Sequence, residues 1–127
     1  QYFPNGLNRN AARKAPVVAY TNKDRLTSSF LLRRLGLPEG AYPCHYVPGA
    51  EPRFNAIRYG LGYGMVPQPL LQDALADGIV VDLAADAPLD ILLYWHTWKV
   101  QSPRMESLSR QIIEAAPKIL ARPEEAC

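Results

Sequence analysis

Cysteine and histidine are both scarce in this chain of 127 residues, at two each. Cys44 and Cys127 give no disulfide framework, so a reducing, cytoplasmic compartment is the simpler expectation. With so few soft or imidazole donors, no spacing suits a metal, and neither a metal nor any other cofactor is expected. Charge of one sign is lacking too: the formal net charge is +2, with acids and bases interspersed, which is no electrostatic footprint for nucleic acid. No apolar run approaches the roughly 20 residues of a membrane span. There is no repeat and no low-complexity linker. The opening residues Gln1-Tyr2-Phe3-Pro4-Asn5-Gly6 are neither a signal peptide nor a start methionine, so the chain reads as beginning inside something longer.

What is present is a hydrophobic fraction of 48%, enough for a core in one ordinary domain. The most informative stretch is Gly60-Leu61-Gly62-Tyr63-Gly64-Met65-Val66-Pro67. Its glycines allow close backbone approach, so a short strand over 63–66 can follow a helix end at Gly60 with almost no loop. A dinucleotide loop needs its glycines after a strand and before a helix; here the order is reversed. Upstream, Asn8 caps a short helix to Lys14. Val17–Tyr20 reads as a buried strand. Thr21-Asn22 caps a helix over about 23–35, with Leu26, Phe30, Leu31 and Leu35 on one stripe and Gly36 at its end. Cys44–Val47 is a strand. A helix begins at Ala50 or Glu51, with Pro52 in its first turn. Pro69 opens a helix to Ala76, Ile79–Leu83 is a further strand, and Asp90–Lys99 is the longest strand candidate. Ser102-Pro103 starts the final helix, which Pro117 bends or ends. This alternation predicts an α/β fold, an open sheet with helices on both faces, complete to about Leu89, followed by a strand and helix with no partner inside that unit.

Candidate chemistry is sparse. Cys44 and His45 are adjacent, but neighbours in a strand point to opposite faces and cannot form a dyad, so Cys44 is expected to be a buried structural cysteine. His96 lies in an aromatic run that reads as a central core strand, and is expected to be a hydrogen-bonded structural histidine. No Ser-His-Asp set, phosphate loop or carboxylate pair emerges, so no enzyme is expected. Two helix starts following strands carry more weight, Thr21-Asn22 and Pro48-Gly49-Ala50-Glu51. Ligands of open α/β sheets sit beyond the carboxyl ends of the strands, and helix N-termini there suit a carboxylate. Asp24 and Glu51 lie in the same first turns; they either attract a cationic group or only complement the helix dipoles.

Tyr2–Gly6, Lys14–Ala19, Pro43-Cys44-His45, Gly60–Pro67 and Leu93-Tyr94-Trp95-His96 together resemble the C-terminal region of LysR-type transcriptional regulators. The branch resembled is the lysine/arginine-responsive regulators of basic amino-acid export, also described as inhibitors of chromosome initiation. The resemblance reaches to about Leu120. It implies a periplasmic-binding-protein-like effector domain of two subdomains. Residues 3–89 would be the second subdomain, 90–120 the strand and helix returning to the first, and 121–127 a tail. It implies a small-molecule effector, a basic amino acid such as lysine or arginine, held in the cleft between subdomains. Thr21, Asn22, Asp24, Gly49, Ala50 and Glu51 would contact it, with Gly62 and Met65 near the crossover. Many members carry a hydroxyl or amide where this chain has Pro48-Gly49-Ala50, so here only backbone N–H groups are offered. DNA would be bound only through an N-terminal domain not in this chain, and a homo-oligomer, a dimer first, is expected. The alternative is a free-standing small-molecule binding or transport module of periplasmic-binding-protein type.

Overall fold

The computed structural model describes residues 1–120. The 121–127 tail and Cys127 lie outside them. The chain divides into two compact units, one over Gln1–Ala87 and a second beginning at Pro88.

The first unit opens with α1 (Arg9–Lys14), whose cap Asn8 accepts the Ala11 N–H at 2.9 Å. Strand β1 (Val17–Ala19) is buried along its whole length. Helix α2 (Arg25–Leu35) follows and ends on Gly36, whose φ of 64° is the left-handed conformation glycine tolerates. The Leu37 N–H then reaches back to Leu31 O at 3.2 Å. Strand β2 (Cys44–Tyr46) pairs parallel with β1, Val17 opposite Cys44 and Ala19 opposite Tyr46. Helices α3 (Ala50–Arg58) and α4 (Gln68–Ala76) complete the unit. Ala12, Val17, Ala19, Leu31 and Leu37 form the core cluster, with Phe3, Leu7 and Tyr63 packed against it.

Between α3 and α4 the chain returns to the other side of β1. Tyr63 bridges Val17 in parallel, accepting from the Val18 N–H at 2.7 Å and donating its own N–H to Pro16 O at 3.0 Å. The expected strand over 63–66 therefore shrinks to one bridged residue, because Pro67 has no N–H and α4 begins at Gln68, leaving no length to extend. The order across the sheet is β2, β1, Tyr63. Right-handed crossovers in opposite directions then put α2 and α3 on opposite faces. This is the expected α/β arrangement.

Other expectations are corrected. The cap of α2 is Asp24, not Thr21-Asn22: the chain makes one more turn before the helix, closed by Asp24 N–H to Thr21 O at 3.1 Å. Residues 79–83 are not a strand. The Ile79 and Val80 N–H groups fold back onto Ala74 O, which caps α4, and Asp82 Oδ1 accepts the Ala84 N–H in a local turn. Cys44 is half-buried rather than buried.

In the second unit, α5 (Pro103–Ile119) starts on its expected cap, Ser102, and continues through Pro117 in its last turn. Residues 90–99 form no strand: a strand exists only by pairing, and these residues pair with none of the described strands. Leu92, Leu93, Tyr94 and Trp98 are exposed, and His96 with them, so it is not the core histidine expected. Trp95 alone is tied down: its indole N–H donates to Ser109 Oγ at 3.2 Å, and Ser109 donates to Gln101 Oε1 at 3.3 Å.

Candidate effector site

Adjacent parallel strands whose outgoing helices leave on opposite faces create a crevice at their carboxyl ends. Here those strands are β1 and β2, and the crevice lies between the Tyr20–Asp24 loop and the Pro48–Glu51 helix start. One wall is built by Asp24. Its Oδ1 accepts the Leu26 N–H at 3.0 Å and its Oδ2 the Tyr20 N–H at 3.2 Å. Thr21 Oγ1 accepts the Lys23 N–H at 3.2 Å, which fixes the same loop.

The other wall is the first turn of α3. Its cap is Gly49, at φ 96°, with no side-chain hydrogen bond to the turn. The Ala50 and Glu51 N–H groups thus lack a side-chain acceptor, and Pro52 has no N–H to offer. Glu51 is exposed and forms no ion pair among the described residues.

The two walls are joined by a residue the sequence reading missed. Arg53 of α3 places Nη1 3.5 Å from Asp24 Oδ2, both side chains being close to fully buried. Its Nε is buried without a partner. A signal was present: a cation in the first turns of a helix opposes the macrodipole, so Arg53 required an acid from elsewhere.

On the α2 side, Thr21, Asn22 and Asp24 also line a cavity of about 180 Å³ with Thr27, Tyr42, Cys44 and Tyr46. Thr27 Oγ1 is buried with no partner. Burial first, then the neighbouring Glu39 and Cys44, pushes the Tyr42 hydroxyl up; the adjacent Cys44 does the same for Tyr46. Both phenols therefore stay protonated and can donate.

Of the sequence-predicted residues, Thr21, Asn22 and Asp24 lie together in the loop after β1, and Gly49, Ala50 and Glu51 at the start of α3 after β2; the Arg53–Asp24 contact ties the two segments together. Met65 lies two residues past the Tyr63 bridge, toward the same end of the sheet. Gly62 does not join them. A Cβ there would lie 2.1 Å from Pro16 O, before β1 begins, about 16 Å along the strand from Thr21. Its missing side chain serves backbone packing. Among the described residues there is no group of three or more His, Cys, Asp or Glu that could hold a metal, and no helix is long and apolar enough to cross a membrane.

No family model matches the chain. Curated relatives do. It is 34% identical over 120 residues to the HTH-type transcriptional regulator ArgP of Aeromonas salmonicida, covering 94% of this chain and 40% of that protein. The figures are the same for ArgP of Escherichia coli. The chain thus spans about 40% of the length of the curated relatives it matches. Among solved structures, ArgP from Mycobacterium tuberculosis superposes with a TM-score of 0.80 at 35% identity, over 91% of this chain and 39% of that one. The C-terminal domains of a LysR family protein from Agrobacterium tumefaciens give 0.84 at 32%, over 94% and 57%. LysG from Corynebacterium glutamicum, solved with bound effector Arg, gives 0.77 at 30%, over 90% and 42%. In sequence and in fold, this chain belongs with the C-terminal effector-domain region of the LysR-type transcriptional regulators.

Proposed function

We propose that the chain is the effector-sensing part of a LysR-type regulator that responds to a basic amino acid, arginine or lysine, and is not an enzyme. The observation that carries this reading is the crevice at the β1/β2 switch point, in a fold shared with a regulator solved with arginine bound. Thr21 and Asn22 on one side, Gly49, Ala50 and Glu51 on the other, and Met65 beyond them supply its polar and apolar lining. The uncapped first turn of α3 suits the α-carboxylate. Glu51, exposed and unpaired among the described residues, suits the side-chain cation, while Asp24 is already engaged by Arg53.

In this reading residues 3–89 form the second effector subdomain, and 90–120 supply a strand and helix to the first. The exposed apolar run Leu92–Val100 would then gain its sheet partner there or in a second copy of the chain. DNA is engaged by a separate domain, and the protein works in the cytoplasm as a homo-oligomer.

A chimera tests the proposal. The matching region of Escherichia coli ArgP is replaced by this chain and promoter output is followed. The expected result is output that changes with arginine or lysine and loses that response in Glu51→Gln, while DNA binding without effector persists. A chimera that binds DNA but ignores both amino acids would overturn it.

A further inference from the structure

Arg53 has more donors than its surroundings use. It is 9% exposed, its Nε has no acceptor among the described residues, and its contact with Asp24 is one nitrogen to one oxygen at 3.5 Å. Charge-assisted pairs normally close to 2.7–2.9 Å and are often bidentate for arginine. Asp24 Oδ2 also accepts the Tyr20 N–H. A buried guanidinium with unspent donors retains part of its desolvation cost until a second acceptor arrives.

Its position says where that acceptor would sit. Asp24 belongs to the loop that leaves β1 and Arg53 to the helix that leaves β2, so their contact spans the crevice. Beside it is the first turn of α3, where Gly49 provides no side-chain cap. Backbone N–H groups and a buried guanidinium therefore lie within one turn of each other at the start of α3, facing the loop after β1, a donor set matched to a carboxylate.

We infer that Arg53 is the carboxylate-binding residue of this lobe, and that Asp24 occupies its place when no ligand is bound. The inference rests on the reading of the crevice as an amino-acid site. It has a consequence of definite sign. Asp24 competes with the ligand carboxylate for Arg53, so neutralising it should strengthen binding of any ligand with that carboxylate and leave the decarboxylated analogue unaffected. Asp24→Asn is well suited, because asparagine caps a helix as well as aspartate does and keeps Oδ1 as the acceptor for the Leu26 N–H, while its NH2 replaces the Oδ2 that accepts the Tyr20 N–H and faces Arg53.

The experiment titrates arginine and agmatine, which is arginine without its carboxylate, into the 127-residue chain and follows amide and guanidinium NMR shifts. In the wild type, arginine at millimolar levels should shift the Arg53 Nε–H and the first-turn amides of α3, and agmatine should not shift the Nε–H. Arg53→Met should weaken arginine about tenfold or more, the scale of a charged hydrogen bond, and leave agmatine unchanged. Asp24→Asn should tighten arginine severalfold and not agmatine; it carries the test should Arg53→Met fail to fold. If arginine binds but Asp24→Asn weakens it or leaves it unchanged, or if agmatine responds equally, the assignment of Arg53 is overturned while the crevice reading stands. If neither compound shifts the folded wild type, the crevice reading fails first and this assignment with it.

Discussion

Gly62→Ala is the sharpest structural perturbation available. The new Cβ would lie 2.1 Å from Pro16 O, 2.9 Å from its carbonyl carbon and 3.2 Å from its Cβ. Backbone rather than a side-chain tip is in the way, so no rotamer change relieves the clash. Carbon and carbonyl oxygen settle at about 3.3–3.6 Å, so the two segments must part by about 1.2–1.5 Å. That disrupts the bonds joining Tyr63 to β1, Val18 N–H to Tyr63 O at 2.7 Å and Tyr63 N–H to Pro16 O at 3.0 Å. Val18 is fully buried, so its N–H is left without an acceptor, which costs about 1–3 kcal/mol. With the second bond and the lost packing of Tyr63 on Phe3 the destabilisation should be about 3–5 kcal/mol, a large part of the ~5–15 kcal/mol typical of a domain. Urea unfolding followed by circular dichroism should show the midpoint lowered by about 2 M. Gly40→Ala is the control: open space surrounds it and only its φ of 82° opposes a side chain, for about 1–2 kcal/mol. A Gly62→Ala midpoint no lower than that of Gly40→Ala would refute the close approach of residues 62–64 to β1.

Other outcomes follow from the same structure. Tyr63→Phe keeps the edge-on contact with Phe3 but removes the hydroxyl that donates to Ala12 O at 3.0 Å, and should cost about 1–2 kcal/mol in urea unfolding; no loss would argue against that bond. The Arg25 and Arg34 guanidinium groups hold Glu39 and Asp86 below the usual carboxylate range. Carboxyls lowered on folding stabilise above their unfolded pKa and lose that contribution as pH falls through the folded value, so melting temperature should decline in acid, less steeply in Glu39→Gln/Asp86→Asn and in high salt. Identical pH profiles would refute the pairs. Trp98 is 86% exposed and Val100 90%, beside exposed Leu92, Leu93 and Tyr94. Sedimentation equilibrium should therefore show concentration-dependent association that Leu93→Lys weakens; a monomer at micromolar concentration would reject it.

Features set by local chemistry were legible in the sequence. Asn8, Ser102-Pro103 and Gly36 act within one turn of their own positions, and each stands where its residue type predicts. The Asp24 cap was missed because Thr21, Asn22 and Asp24 are all competent caps, and the extra turn before α2 decides among them. The strand expected at 79–83 gives way to turns, and the run at 90–99 is unpaired among the described residues, because apolar alternation shows what a segment can bury, whereas a strand also needs an edge to pair with. The arginine in the crevice was hidden for a related reason. Arg53 acquires meaning only when two crossovers bring α3 beside a loop far away in sequence. The contact of Gly62 with Pro16 was not legible because a glycine pattern signals close approach without naming the backbone that approaches.

Whether a basic amino acid occupies the crevice at the carboxyl ends of β1 and β2 can be read from intermolecular nuclear Overhauser effects between labelled arginine and the chain. The expected contacts run from the ligand's α-proton to the first turn of α3, and from its side-chain methylenes to Thr21, Asn22 and Met65. Contacts confined to the α2-side cavity around Tyr42 and Cys44, or to the apolar run beyond Leu89, would contradict it.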